Sequence, residues 1–131
     1  MKIFAAVAAL TLLALAAAPE SQAQAKGEAW LTLLDNAKYG ESWSESSSLF
    51  RSHVDQQKWS QMVGAVRGPL GAKISRKLKS ITFAKTLPGV PDGSYGVMIF
   101  DASFANKASA TETLTMMDEA GEWRAAGYFI R

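Results

Sequence analysis

Arg76 and Glu112 are the charged residues whose setting in this sequence best suits chemistry, because each lies among apolar residues of a strand-like segment. Side chains alternate across a strand, so Glu112 shares a face with Leu114 and Met116. If that face points into the core, Glu112 is buried, and a buried carboxyl group needs a charged partner or a raised pKa. The pattern therefore indicates either a ligand pocket or an internal ion pair.

Three aromatic residues, Trp43, Tyr95 and Tyr128, are candidates to complete such a pocket with hydroxyl and ring contacts. In an enzyme, Glu112 would act as acid or base, and Arg76 or Tyr95 would hold an anion or oxyanion. The alternative is a structural Arg–Glu bridge that orders the sheet, with the tyrosine rings in the core and their hydroxyl groups at its edge. Both readings remain open on the sequence.

Other kinds of reactive site are not indicated. His53 is the only histidine and cysteine is absent, whereas a zinc site usually needs several such ligands. Asp118, Glu119 and Glu122 lie close together without the pattern of a calcium loop, and they fit a solvated hairpin turn. With no Gly-x-Ser-x-Gly segment either, we expect no metal and no cofactor.

Charge is distributed unevenly along the chain. Residues 56–90 contain seven positive residues and no negative one, whereas residues 92–122 contain six negative residues and only Lys107 as a positive one. The basic stretch would suit an anionic partner, or the two stretches would supply cross-strand pairs in one sheet. Nucleic acid is not expected as a partner, because the basic run lacks interleaved aromatic residues.

The N-terminus resembles a bacterial secretion signal. Lys2 is followed by an apolar run over residues 3–18, a break at residues 19–22 and the small-x-small sequence of residues 23–25. We predict a cleaved signal peptide over residues 1–25, a single mature domain over residues 26–131, and a periplasmic or secreted location. The mature part has no apolar run long enough to span a membrane, and without cysteine it has no disulfide.

Residues 26–68 predict three helices, broken near residues 36–40 and again before Asp55, which is a suitable N-cap. Gly68 to Gly71 is predicted to end the third helix. The apolar faces are assigned to Trp30, Leu33, Leu34 and Ala37; to Tyr39, Trp43, Ser46 and Phe50; and to Trp59, Met62, Val63 and Val66.

Residues 73–131 alternate with the period of strands. Arg76 shares a predicted face with Ile74 and Leu78, a second strand covers residues 95–104, and two more flank a turn near residues 118–122. No long helical insert separates them, so the sheet should be antiparallel. The sequence thus predicts an α+β fold with N-terminal helices packed on a four-stranded sheet.

The chain resembles the DUF4019 family of exported bacterial proteins, because a set of aromatic, glycine and charged positions recurs over essentially the whole mature part. The segments Pro91-Asp92-Gly93-x-Tyr95 and Trp123-Arg124-x-x-Gly127-Tyr128 are the most specific. The other positions are Trp30, Leu34, Asp35, Tyr39, Ser42, Trp43, Phe50, Val54, Trp59, Arg67 to Gly71, Arg76, Leu87 to Gly89, Phe104, Lys107, Glu112, Thr113, Gly121 and Phe129. By analogy, the helices-then-sheet order implies an NTF2-like or cystatin-like cone with a strongly curved sheet.

These observations predict a non-enzymatic binding module for a small molecule or an envelope protein. The alternative is a small isomerase or hydrolase of the kind found on NTF2-like cones, with Glu112 and Arg76 in its pocket. A third reading is an inhibitory or structural protein that makes contact through residues 88–93. A homodimer through the outer face of the sheet is also expected, and that face is assigned to Ile81, Phe83, Val97, Ile99 or Phe129.

Overall fold

A layer of N-terminal helices followed by one antiparallel sheet makes up residues 16–131, which are the residues described by the computed structural model. A 3-10 turn at Glu20–Gln22 precedes α1 (Ala23–Asp35), α2 (Tyr39–Ser44), α3 (Ser48–His53) and α4 (Gln56–Leu70). The strands are β1 (Lys73–Ala84), β2 (Tyr95–Phe104), β3 (Lys107–Glu119) and β4 (Glu122–Ile130). The predicted α+β class is confirmed.

The helical layer differs from the prediction at its centre. The predicted second helix is two short helices, because the side chain of Ser47 accepts a hydrogen bond from the Phe50 backbone N–H and so begins α3. Ala37 does not continue α1 but lies in the turn after it, with a φ of 57°. Asp55 caps α4 as predicted, its carboxylate accepting from the Lys58 N–H at 2.8 Å.

The buried face of α4 is narrower than its apolar pattern predicts. Trp59 and Val63 are buried, but Met62 and Val66 are exposed on the side of the helix that lies next to the end of β4. A helix that packs on a sheet from one side buries only part of its apolar stripe. Two apolar side chains are therefore left facing solvent.

The sheet has the order β1-β2-β3-β4, and every neighbouring pair is antiparallel. Met98 and Phe100 of β2 point inward and are fully buried. Ile81 and Phe83 also pack against the core, so their assignment to an outer face is wrong. Gly96 provides space for the Phe83 ring, since a Cβ there would lie 3.1 Å from it.

A register irregularity near the start of β1 explains another difference, and a second one lies in the middle of the strand, between Leu78 and Ser80. A shift between Lys73 and Ser75 separates Ile74 from the inward face, and Ile74 is exposed while Arg76 and Leu78 point inward. A bulge changes which residues of a strand share a face. The predicted pairing of Arg76 with Ile74 on one face is therefore wrong, and that with Leu78 is correct.

The segment before Lys26 contacts the sheet where the structure describes it. Ala23 is fully buried, Trp123 donates its indole N–H to the Pro19 carbonyl at 2.8 Å, and the Ala18 N–H donates to Asp118 at 2.9 Å. Residues 1–15 of the predicted signal peptide lie outside the described residues. Cleavage after Ala25 would fall within α1, and it stays a prediction. Within residues 16–131 no helix is long and apolar enough to cross a membrane.

An aromatic cluster forms the centre of the core between the helices and the sheet. The ring of Trp30 lies 6.5 Å from that of Phe50, 6.1 Å from Trp59 and 5.7 Å from Tyr128. Its indole N–H donates to Ser42 and so ties α1 to α2. This cluster fixes α4 and the end of β4 relative to each other.

Candidate functional site

Four buried or largely buried charged side chains meet between the helices and the sheet, and we call them, together with Tyr128, the buried charge cluster. Asp35 ends α1, Arg67 lies in the last turns of α4, Arg76 lies on β1 and Glu112 on β3. Tyr128 reaches the cluster from β4. The cluster thus joins both helices that frame the layer to three strands of the sheet.

Arg76 is the centre of this cluster because it binds both carboxylates with two nitrogens each. Its Nε and Nη2 donate to the two oxygens of Glu112 at 2.7 and 3.2 Å. Its Nη1 and Nη2 donate to the two oxygens of Asp35, both at 2.8 Å. All three nitrogens of the guanidinium donate hydrogen bonds within the cluster, so Arg76 has no free pair of nitrogens with which to bind a ligand.

The second arginine is less well satisfied. Arg67 donates from Nη2 to Asp35 at 2.7 Å, and its guanidinium lies over the Phe104 ring at 4.8 Å. Its Nε and Nη1 are buried and have no hydrogen-bond partner among the described residues, although Nη1 lies 3.9 Å from Glu112 Oε2. A buried donor left without a partner costs about 1–3 kcal/mol, so this arrangement calls for an explanation.

The pKa values of two members of the cluster, Asp35 and Tyr128, are shifted in opposite directions. Burial by itself would raise the pKa of Asp35, but hydrogen bonds from Arg76 and Arg67 outweigh it and hold that pKa below its ordinary value. The pKa of Tyr128 is raised above its ordinary value, first by burial and then by the charge and hydrogen bonding of Glu112. Tyr128 therefore stays a neutral donor to Glu112 at every physiological pH.

Three of the five predicted site residues come together in this cluster: Arg76, Glu112 and Tyr128. The other two do not join them. Tyr95 is buried near the start of β2 and donates its hydroxyl to the Pro91 carbonyl, while Trp43 donates its indole N–H to the Val54 carbonyl at 2.7 Å. Both make local contacts that hold loops in place.

Asp35 and Arg67 were missed as members of the cluster. Arg67 follows Trp59 and Val63 at intervals of four, which places all three on one face of a helix. Asp35 follows Leu31 by the same interval, and Leu31 is fully buried. An arginine or aspartate in register with buried apolar residues was the signal that could have identified both.

Beside the cluster an open apolar channel runs along the surface, and we call it the α4–β4 groove. It has a volume of about 240 Å³ and lies between the exposed flank of α4 and the end of β4. Its lining residues are Trp59, Met62, Val63, Val66, Tyr128, Phe129 and Ile130. Tyr128 belongs to both features, since it lines the groove and its hydroxyl binds Glu112 in the cluster.

A second hollow of about 430 Å³ continues from this groove towards α3 and shares Trp59, Met62 and Tyr128 with it. This hollow is lined by His53, the last residue of α3, and by Val54, which follows it. Gly89 and Val90 of the β1–β2 connection also line it. The two hollows together form one open, mostly apolar surface. No group of three or more metal-ligating side chains occurs within residues 16–131.

Comparison with known proteins gives a match to a protein family. A family model described as "Protein of unknown function (DUF4019)" matches residues 26–128, which include every member of the buried charge cluster. No curated protein and no solved structure matches the chain.

Proposed function

This chain belongs to the DUF4019 family, and we propose that it is an exported, non-enzymatic binding module that takes up a small, largely apolar molecule in the α4–β4 groove. Export is proposed from the signal-like residues 1–25, and a periplasmic or secreted location follows from it.

The distribution of exposed apolar side chains carries the proposal. Among the described residues, the large apolar side chains that are well exposed are Met62 (52%), Val66 (47%), Ile74 (67%) and Phe129 (55%). All but Ile74 line the α4–β4 groove. Single exposed apolar residues are common on protein surfaces, but several together around one concave surface are typical of a binding site.

The size of the surface also suits a small molecule. Ligand pockets usually have volumes of about 300–1,000 Å³ and mostly apolar walls with a few polar groups. The α4–β4 groove and its continuation, of about 240 and 430 Å³, together fall in that range. Trp59 and Tyr128 contribute large, rigid aromatic walls to both.

The geometry of the cluster favours binding over catalysis at Glu112. Its side chain is fully buried, and its two oxygens accept hydrogen bonds from Arg76 and Tyr128. A general acid or base must come within hydrogen-bonding distance of its substrate. Glu112 has its contacts within the protein, which supports a role in holding helices and sheet together.

An apolar segment of an envelope protein is the other class of partner proposed for the same groove. A homodimer through the outer face of the sheet has less support, because Ile81 and Phe83 point inward. Val97 and Ile99, which are half-buried, and exposed Phe129 remain as its apolar residues. Binding of a small-molecule probe in the α4–β4 groove would favour uptake of a ligand over these two kinds of protein contact.

We expect Val66→Glu to weaken binding of the neutral apolar dye N-phenyl-1-naphthylamine by at least about tenfold, or about 1.4 kcal/mol. A carboxylate in an apolar groove must either remain hydrated, which fills the groove with water, or lose its hydration at a large cost. The measurement is a fluorescence titration of the full chain with the dye.

Ile74→Glu is the matched control, because Ile74 is equally aliphatic and more exposed but lies on β1, outside the groove. It should bind the dye as the unaltered chain does. Equal loss of binding in both variants, or no binding by the unaltered chain, would contradict a site in the α4–β4 groove.

A further inference from the structure

Few polar atoms line the α4–β4 groove and the hollow that continues it towards α3. Of the side chains that line the two, those of His53, Trp59 and Tyr128 contain nitrogen or oxygen. No aspartate, glutamate, lysine or arginine is among these lining residues, which all lie within residues 16–131. A charged molecule would lose hydration on this surface without gaining an opposite charge, so the lining favours an uncharged ligand.

Two of the three polar side chains already use their protons inside the protein. Trp59 donates its indole N–H to the Ser42 hydroxyl oxygen at 2.9 Å. Tyr128 donates its hydroxyl to Glu112 in the buried charge cluster. Each of these groups has a single proton to give, so neither can donate to a ligand as well. Trp59 and Tyr128 therefore contribute mainly their rings to the surface.

The hydrogen bonding of His53 determines which of its ring nitrogens is free. Nδ1 of His53 lies 2.8 Å from the Leu49 carbonyl oxygen, and a carbonyl only accepts, so Nδ1 carries the hydrogen and donates it. The Ser52 hydroxyl, 3.3 Å from the same nitrogen, donates to the same carbonyl at 2.7 Å. In the neutral ring the other nitrogen, Nε2, is then an acceptor. The contacts of the ring within residues 16–131 are made through Nδ1, which leaves Nε2 for a further donor.

His53 also has a suitable position on this surface. It is exposed at the end of α3 and lines the second hollow but not the groove, whereas Val66 and Phe129 line the groove but not the second hollow. The two hollows share lining residues between these positions. A molecule that lies along the whole surface thus has apolar walls over most of its length and one acceptor nitrogen near one end.

We infer that the ligand of the α4–β4 groove is an uncharged alcohol, whose hydroxyl group donates a hydrogen bond to Nε2 of His53 while its apolar body packs against Trp59, Met62 and Tyr128. A ketone or an ether of the same size has only an acceptor oxygen, so it cannot form a hydrogen bond with an acceptor nitrogen. This inference rests on the proposed function, because it names the ligand class of the same groove.

The test compares 2-decanol with 2-decanone, which share one carbon skeleton and differ in whether the oxygen carries a hydrogen. Each compound is used to displace N-phenyl-1-naphthylamine from the full chain at pH 8, where an imidazole side chain is neutral. The ratio of the two displacing concentrations is measured in the unaltered chain and in His53→Phe, so that the different partitioning of the two compounds cancels. This ratio should change about fivefold in His53→Phe, with 2-decanol becoming relatively weaker, because one hydrogen bond between neutral groups is lost.

Gln57→Phe is the matched control, because it introduces the same ring at an exposed position of α4 that lines neither hollow. It should leave the ratio as it is in the unaltered chain. His53→Leu is a second variant that removes Nε2 without adding an aromatic ring, and it should change the ratio as His53→Phe does. Binding of the dye by each variant serves as the check that the groove is intact.

Charged analogues test the other half of the inference. Decanoate and decyltrimethylammonium should each displace the dye only at a concentration at least about tenfold higher than 2-decanol does. An unchanged ratio in both His53 variants would overturn the hydroxyl contact, and stronger displacement by either ion than by 2-decanol would overturn the uncharged ligand. Failure of the dye itself to bind the unaltered chain would overturn the proposed function instead.

Discussion

Replacing Arg76 with methionine is expected to lower the free energy of unfolding by about 3–5 kcal/mol. Within residues 16–131, Arg76 is the only side chain that binds both Asp35 and Glu112 with paired hydrogen bonds. Among the described residues, its removal leaves the buried Glu112 with Tyr128 alone as a hydrogen-bond donor, and Asp35 with Arg67 alone. Since domains of this kind are stable by only about 5–15 kcal/mol, the loss is a large fraction of the total.

A double-mutant cycle with Glu112→Gln tests this expectation by urea denaturation. Each single change should be costly, and the double variant should cost less than the sum by about 0.5–3 kcal/mol, because the second change removes a group that the first left without its partner. Lys77→Met, an exposed position on the same strand, is the control and should stay within about 0.5 kcal/mol of the unaltered chain. If either single variant were as stable as that control, the cluster would not be the structural link described here.

Trp30→Ala is the second change with a large expected effect, a loss of about 3–5 kcal/mol in the free energy of unfolding. Trp30 is 4% exposed, and its ring contacts Phe50, Trp59 and Tyr128 at the centre of the core. Its removal leaves a large cavity and takes away the indole donor to the Ser42 carbonyl. Thermal unfolding of the full chain measures the effect.

Trp43→Ala is the matched control, because Trp43 is the same residue type but lies half-buried at the rim of the core. It removes one hydrogen bond to Val54 and less buried surface, so its cost should be clearly smaller than that of Trp30→Ala. A larger loss from Trp43→Ala than from Trp30→Ala would mean that the aromatic core is not centred where the structure places it.

Much of the sheet could be predicted from residue alternation. The parity of Glu112 with Leu114 and Met116 correctly placed it inside, where all three are buried. Alternation failed at Ile74, because a register shift changes the face without leaving a signal in the sequence. Strand periodicity therefore predicts a face only as far as the next irregularity.

The partners within the cluster were harder to predict. Arg76 and Glu112 were identified from their apolar neighbours in the sequence. Asp35 and Arg67, by contrast, lie on two different helices and are separated by 32 positions in the chain. Pairing at that separation depends on how the helices pack on the sheet, which no local pattern determines. The α4–β4 groove was missed for a similar reason, since Met62 and Val66 look like core residues of an amphipathic helix until the width of the buried face is known.

The most direct test of the central claim is an NMR titration of the full chain, labelled with ¹³C at its methionine methyl groups, with N-phenyl-1-naphthylamine. Met62 lines the α4–β4 groove, whereas Met98 and Met116 are buried beside the sheet. We predict that the Met62 methyl signal shifts in proportion to bound ligand, while those of Met98 and Met116 remain in place. A shift of Met98 or Met116 with no change at Met62 would show that the ligand site lies elsewhere and would contradict this account.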